Sequence, residues 1–187
     1  MMLGARQVGK TSVLKRFGKE CFEHCAYFSL DEEDGVCDIF RTTKNPMQII
    51  EQLSFLTDVP IQPEKTLLIL DEIQACPEAI SSMKYFCEKT SEYAVACAGS
   101  LLGLAFGHEG FSFPVGKVDF LSLHPMSFIE FVMAMGEENL AKLLQTKDWN
   151  MIQLFAPKFQ ELLKYYYYVG GMPEAVLSFS QNRDWLE

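Results

Sequence analysis

Three features are missing or scarce in this 187-residue sequence, and each argues against a class of protein. No apolar run approaches the ~20 residues that a membrane-spanning helix requires. The amino terminus lacks a cationic segment followed by an apolar stretch, which is the pattern of a secretory signal. Basic residues are scarce, with 16 Lys and Arg against 25 Asp and Glu, so a broadly basic nucleic-acid surface is not expected. These absences predict a cytoplasmic protein that does not enter a membrane.

The six cysteines form no CxxC pair, and no histidine lies at a spacing that would complete a metal site. Most of them are flanked by apolar or aromatic residues, as Cys97 is within the segment 93–98. We therefore expect reduced thiols, most of them buried, as is usual in the cytosol. A composition of 49% hydrophobic and 22% charged residues is typical of a folded globular domain.

One short segment carries most of the functional information. Residues 4–11 read GARQVGKT and fit the phosphate-binding P-loop pattern G-x-x-x-x-G-K-[ST]. Its glycines let backbone N–H groups converge on a polyphosphate, and the helix that follows adds its positive amino-terminal end. Lys10 is predicted to reach the β- and γ-phosphates of ATP, and the Thr11 hydroxyl to bind Mg²⁺. The alternative is a glycine-containing loop that precedes an ordinary helix. The predicted nucleotide-binding residues are Gly4, Ala5, Arg6, Gln7, Val8, Gly9, Lys10, Thr11 and Ser12.

A second motif supplies the carboxylates that ATP hydrolysis needs. Asp71 and Glu72 follow the wholly apolar segment 67–70, which predicts a buried strand that ends in two acids. At the carboxyl edge of a parallel sheet, Asp71 would lie beside Thr11 and hold Mg²⁺, while Glu72 would activate the attacking water as a general base. Ser100 ends the next strand and has two open interpretations, contact with the water or γ-phosphate and a helix cap. The predicted catalytic residues are Glu72, Lys10 and Ser100, and the predicted metal ligands are Thr11 and Asp71.

Strand-like and helix-like segments alternate over the first two thirds of the chain. Strands are predicted over 25–30, 66–70, 93–98 and 117–123, and helices after Gly9, from Pro46 and from Pro77. The alternation predicts an α/β fold with a parallel sheet and flanking helices. We expect a P-loop core over residues 1–124 and a helical appendage over 125–187, where two or three helices follow a first one at 128–136. Within the appendage, Gly170 and Gly171 would form either a hinge or a helix C-cap.

The start of the chain is unusual for a P-loop protein. Only Met1, Met2 and Leu3 precede Gly4, whereas the strand before a P-loop normally needs about five residues. Because that strand is central in such sheets, its loss would expose unpaired backbone groups. We expect the chain to be a fragment without its true amino terminus. A very short strand that begins at a genuine Met1 is the alternative.

These motifs, together with blocks further along the chain, resemble the bacterial and archaeal AAA-type ATPases that have a separate C-terminal domain of unknown function. Beside the P-loop, the blocks are LLILDEIQ at 67–74, AGS at 98–100, LHPMSFIEF at 123–131 and YVGGMPE at 168–174. The resemblance implies an AAA-type core with sheet order 5-1-4-3-2, ATP as ligand and Mg²⁺ as cofactor. It also implies that a first strand before Gly4 and a long C-terminal domain are missing here.

One departure from that family lies at Lys117, where its members usually have arginine. An arginine finger donates a planar fork that lysine cannot reproduce, so Lys117 would weaken a site shared between subunits of an oligomer. A solvated basic turn is the alternative. We expect a Mg²⁺-dependent ATPase whose γ-phosphate contacts gate a conformational change. The alternative is a nucleotide-gated switch with little turnover that engages a protein or DNA partner through the missing domain.

Overall fold

The computed structural model describes residues 1–32, 34–100 and 116–181. The chain divides into two compact units, Met1–Leu123 and a second that begins at His124. In the described residues, no helix combines the length and the apolar character needed to cross a membrane.

The described part of the first unit is built on a five-stranded parallel sheet. Its strands are β1 (Met2–Gly4), β2 (His24–Ser29), β3 (Thr66–Asp71), β4 (Ala94–Gly99) and β5 (Leu121–Leu123). They lie in the order β5-β1-β4-β3-β2, and each neighbouring pair is parallel. This is the order that the family resemblance implies, so the predicted α/β fold with a parallel sheet is confirmed. Every residue of β3 is buried, as expected for a strand covered on both faces.

Helices cover both faces of this sheet. They are α1 (Lys10–Cys21), α2 (Asp34–Thr42), α3 (Pro46–Ser54) and α4 (Pro77–Lys89), with a short 3₁₀ turn at Ile73–Ala75. Alternate residues of a strand point to opposite faces, and β3 follows this rule. Leu67 and Ile69 share one core cluster with Leu14 of α1. Leu68 and Leu70 share another with residues of α2, α3 and α4. The strand that ends in Asp71 is therefore clamped between two helical layers.

The short strand β1 lies between β4 and β5 in the sheet. Met2 pairs with Ala98 of β4 on one side and with Leu121 of β5 on the other. The Leu121 N–H also donates a hydrogen bond of 2.9 Å to the Met1 carbonyl. Met2–Gly4 thus form a strand in the central position, with both backbone edges paired. That this strand is truncated at its amino-terminal end stays a prediction.

Two elements of the first unit differ from the prediction. Helix α2 was not predicted, because residues 31–35 read as an acidic turn, yet its Val36, Cys37 and Phe40 are buried in the core. Strand β5 was predicted over 117–123 and is shorter, at Leu121–Leu123. Among the described strands, β5 pairs with β1 alone, and the three residues of β1 limit how far the pairing extends.

The described part of the second unit is helical, as expected, but it holds more helices than predicted. They are α5 (Phe128–Ala134), α6 (Glu138–Thr146), α7 (Trp149–Leu154), α8 (Ala156–Val169) and α9 (Pro173–Gln181). In the part of this unit that the structure describes, four helices follow α5, where two or three were expected; the additional short helix α7 has six residues, none of them buried. A capping box at Ser127 and Glu130 begins α5, and hydrogen bonds from Ser127 lower the pKa of Glu130. The hydrophobic core of the second unit includes Phe131, Leu162 and Phe179.

The glycine pair of the second unit forms a helix cap. Gly170 ends α8 with φ 78°, a left-handed value that favours glycine, and its N–H donates to the Tyr166 carbonyl at 2.8 Å. Gly171 accepts a 2.7 Å hydrogen bond from the Met126 N–H. The Tyr166 hydroxyl donates to the Met126 carbonyl at 2.8 Å. Of the two interpretations of this pair, the C-cap is the one observed.

Replacing Gly171 by alanine is expected to destabilise the second unit. A Cβ at this position would overlap the Met126 carbonyl oxygen and lie 2.9 Å from the Met126 nitrogen, and both are backbone atoms that cannot rotate away. The cost is about 1–3 kcal/mol of unfolding free energy, as for other overpacked sites. Thermal unfolding followed by circular dichroism, with hydrogen exchange in α5 and α8, measures it. Gly35→Ala is the control, since a Cβ at Gly35 meets nothing within 4 Å; equal stability of both variants would contradict the expectation.

Candidate nucleotide-binding site

The loop between β1 and α1 has the backbone shape that the P-loop sequence predicts. At Gly4, a Cβ would overlap the carbonyl oxygen of Leu123 on the neighbouring strand, so only glycine fits. At Gly9, φ is 100° and the residue is the N-cap of α1, again a conformation that favours glycine. Ala5, Arg6 and Gln7 are exposed at the tip of the loop. The loop thus wraps the positive amino-terminal end of a 12-residue helix.

The Lys10 ammonium is buried against the loop that precedes it. The residue is only 5% exposed, and its Nζ donates to the carbonyls of Ala5 at 2.8 Å and of Gly4 at 3.1 Å. Both acceptors are neutral backbone groups, and no carboxylate pairs with this cation among the ion pairs of the described residues. The Lys10 ammonium is therefore available to exchange these two carbonyls for anionic oxygens.

Thr11 and Asp71, far apart in the sequence, are in contact. The Thr11 hydroxyl donates to Asp71 Oδ2 at 2.5 Å. The other carboxylate oxygen, Oδ1, accepts the backbone N–H of Glu72 at 2.9 Å. Asp71 is 4% exposed, and its carboxylate keeps its hydrogen-bond partners although it is buried. The end of β3 therefore presents an oriented carboxylate to the first turn of α1.

Glu72 and Ser100 also meet at this edge of the sheet. Glu72 has φ 48° and ψ 44°, a left-handed conformation that is uncommon for a residue with a side chain. Its Oε2 accepts a hydrogen bond from the Gln74 side-chain amide, and the Ser100 hydroxyl lies 3.5 Å from the same oxygen. The amide oxygen of Gln74 is buried and has no hydrogen-bond partner among the described residues.

The oxygen atoms gathered here are of the kind that binds a hard divalent cation. Mg²⁺ is usually held by one or two carboxylates together with substrate phosphates, not by a dedicated protein cage. The described residues contain no cluster of three or more His, Cys, Asp or Glu side chains. The Thr11 hydroxyl and the Asp71 carboxylate therefore fit Mg²⁺ that arrives with a nucleotide.

Sequence reasoning missed two residues of this site, Tyr27 and Gln74. The Tyr27 hydroxyl donates to Asp71 Oδ2 at 3.1 Å, and the Lys15 ammonium lies 3.4 Å from the centre of its ring. Burial, followed by the charge of Asp71 and this hydrogen bond, raises the pKa of Tyr27 to about 12, so the hydroxyl remains a donor at neutral pH. A signal was present for Tyr27, whose polar tip lies between the apolar residues Ala26 and Phe28 in strand β2. Gln74 lies two residues after Glu72, in the block LLILDEIQ.

Lys117, the residue that departs from the family pattern, forms an ion pair within its own unit. Its Nζ lies 3.5 Å from Glu88 near the end of α4, and both side chains are partly exposed. A pair this exposed contributes little to stability. Whether Lys117 stands where an arginine finger would act between subunits stays a prediction.

The glycine-shaped loop, the acidic end of β3 and the strand order define a P-loop nucleoside triphosphatase fold of the AAA type. The chain belongs to the AAA domain family, whose model matches residues 1–132. Nucleotide binding of the ATPase type is therefore its class of function. No curated protein matches the sequence.

The chain is similar to several solved structures at low sequence identity. The structure of Drosophila ORC bound to DNA has 16% sequence identity and a TM-score of 0.57, and the match covers 96% of this chain and 54% of that one. The structure of C. elegans PCH-2 has 14% identity and a TM-score of 0.45, with 76% and 39% covered. The Aeropyrum pernix ORC1 protein in complex with DNA has 16% identity and a TM-score of 0.39, with 78% and 49% covered. The similarity to Drosophila ORC concerns the fold, and this chain spans about half of that structure's length.

Proposed function

We propose that this protein binds ATP together with Mg²⁺ and hydrolyses it, with residues 4–12, Asp71, Glu72 and Ser100 as its site. The observation that carries the proposal is the 2.5 Å contact between Thr11 and Asp71, which joins the P-loop helix to the acidic end of β3. A loop that merely preceded an ordinary helix would not require this contact. It supports a ligand site at this edge of the sheet, where parallel α/β proteins bind their ligands.

Binding of the triphosphate rests on the P-loop backbone and on Lys10. The N–H groups at the start of α1 have no partner within the helix and point toward an anion. The Lys10 ammonium exchanges the carbonyls of Gly4 and Ala5 for β- and γ-phosphate oxygens. That exchange is favourable because a hydrogen bond between two charged groups is about twice as strong as one to a neutral acceptor.

Thr11 and Asp71 would hold the metal ion. Held there, Mg²⁺ would neutralise the negative charge that develops on the phosphate oxygens during hydrolysis. Asp71 supplies a carboxylate already oriented by three hydrogen-bond donors, and Thr11 supplies a hydroxyl at the first turn of α1. Little reorganisation of either side chain is required.

Glu72 would act as the general base. The Gln74 amide and the Ser100 hydroxyl both lie at its Oε2, which leaves Oε1 to accept a proton from the attacking water. Ser100 lies close enough to Glu72 to contact the same water or the γ-phosphate. Water activation of this kind corresponds to ATP hydrolysis, not to phosphate transfer onto a second substrate.

We further propose that the nucleotide state gates a conformational change that a partner reads. The Drosophila ORC structure is bound to DNA, and that similarity makes DNA a partner to test beside proteins. The formal net charge of −9 argues against a broad DNA-binding surface on this chain. A domain outside this sequence would therefore supply the recognition.

Removal of the divalent cation is expected to stop phosphate release. With EDTA in place of Mg²⁺, the Asp71 carboxylate faces the triphosphate without a charge between them, so ATP binding weakens and release falls to the background rate. The measurement is phosphate release beside calorimetric ATP binding, with and without Mg²⁺. Release that continues undiminished in EDTA would contradict the proposal. Tight Mg²⁺-dependent ATP binding without any release would instead identify a nucleotide-gated switch.

A further inference from the structure

The carboxylate of Asp71 is oriented by three donors of different kinds. Oδ2 accepts hydrogen bonds from the hydroxyls of Thr11 at 2.5 Å and Tyr27 at 3.1 Å, and Oδ1 accepts the Glu72 N–H at 2.9 Å. In the proposed function, Thr11 is itself a cation ligand. Tyr27 is therefore a side-chain donor to Asp71 that does not also serve the cation.

The position of the Tyr27 side chain is fixed by contacts with two neighbouring elements. Strand β2 pairs in register with β3, and Tyr27 lies opposite Ile69, two residues before Asp71. The phenol side chain is long enough to reach from the position opposite Ile69 to the carboxylate of Asp71. The Lys15 ammonium lies over the Tyr27 ring, 3.4 Å from its centroid. This cation–π contact links the Tyr27 ring to α1. The hydroxyl is thus fixed by its strand, by α1 and by its hydrogen bond to Asp71.

We propose that Tyr27 is a positioning residue that sets how tightly the Asp71 carboxylate holds a divalent cation beside Thr11. The inference rests on the proposed function and extends it to the support of the metal ligand. Ligating carboxylates depend on the hydrogen bonds around them, and loss of such a partner typically costs 10–100-fold in metal affinity or activity. The Tyr27 hydroxyl is a partner of this kind, whereas its ring contributes packing that phenylalanine would keep.

Tyr27→Phe tests the inference because it removes one oxygen atom and keeps the ring. We expect Mn²⁺, the probe cation, to bind the complex of the protein with a non-hydrolysable ATP analogue about tenfold more weakly or worse. Free Mn²⁺ is quantified by electron paramagnetic resonance. Binding of the same analogue in EDTA is expected to be unchanged, because Tyr27 forms no hydrogen bond to the P-loop in this structure. This difference between metal-loaded and metal-free affinity separates positioning of Asp71 from a general loss of structure.

Tyr85→Phe is the matched control. Tyr85 lies on α4, and the Lys89 ammonium is 5.6 Å from the centre of its ring, so this variant also loses a hydroxyl from a tyrosine that contacts a lysine. We expect it to bind Mn²⁺ like the wild type. Equal Mn²⁺ affinity of Tyr27→Phe and wild type would overturn the inference and leave the proposed function intact. A wild-type protein that binds neither the analogue nor Mn²⁺ would overturn both. Equal losses in Mn²⁺ and metal-free analogue binding would assign Tyr27 a structural role and overturn the inference.

Discussion

Substitution of Lys10 by alanine is expected to weaken ATP binding about a hundredfold or more. In the structure the ammonium donates to two neutral carbonyls, those of Gly4 and Ala5. With ATP bound, it would instead form hydrogen bonds to charged phosphate oxygens, each contributing about 1.5–3 kcal/mol. The net gain on binding ATP is the free energy of two such bonds minus that of the two carbonyl bonds that they replace. Because every 1.4 kcal/mol changes Kd about tenfold, this net gain accounts for the expected loss of affinity. Isothermal titration calorimetry with MgATP measures it directly.

Two variants show whether the effect belongs to the ammonium. Lys10→Met keeps most of the buried stem and should lose ATP affinity as Lys10→Ala does. Lys19→Ala removes an equal charge from an exposed position on the same helix and should leave the affinity within about twofold. If Lys10→Ala and Lys10→Met bind ATP like the wild type, the loop is not a phosphate site and only the fold assignment remains.

Glu72→Gln is expected to preserve ATP binding and to slow phosphate release by about 10²–10⁴-fold, the usual contribution of a general base. The amide of glutamine has nearly the same shape as the carboxylate and can still accept from Gln74 and Ser100, but it cannot take a proton from water. The Kd for MgATP should therefore change little while the single-turnover rate of hydrolysis falls. Rapid mixing of enzyme in excess over ATP separates these two quantities.

The control for Glu72→Gln is Glu92→Gln, which removes the same charge from an exposed residue. It should leave both binding and release unchanged. Hydrolysis by Glu72→Gln at the wild-type rate would show that another group activates the water. A wild type that binds ATP tightly but releases no phosphate would assign the protein to nucleotide-gated switches and leave Glu72 without a role in turnover.

The elements that were predicted correctly from the sequence are those marked by a local pattern of neighbouring residues. The apolar run at 67–70 predicted a buried strand, and β3 is buried on both faces. Pro46 and Pro77 marked the starts of α3 and α4, where proline is favoured because its missing N–H would have no partner in the first turn. The sheet order was available only through the family resemblance, since periodicity does not tell which strands become neighbours.

The parts that were missed depend on partners distant in the sequence. Helix α2 follows an acidic segment, and only the burial of its apolar face against the sheet makes it a stable helix. Strand β1 is shorter than a typical strand and is completed by β4 and β5 on either side. Local propensity is too weak to predict either element, because their stability comes from packing and from paired backbone groups.

The sequence by itself determined which functional groups this protein carries, a loop with the P-loop pattern and two acids at the end of a strand. Only the tertiary structure decided which side chains serve those groups. Parallel pairing of β2 with β3 brings Tyr27 to Asp71, and the packing of α1 on the sheet brings Thr11 to the same carboxylate oxygen. A pattern in the sequence shows which face a residue takes, but its hydrogen-bond partner is set by the strand or helix that lies next to it in space.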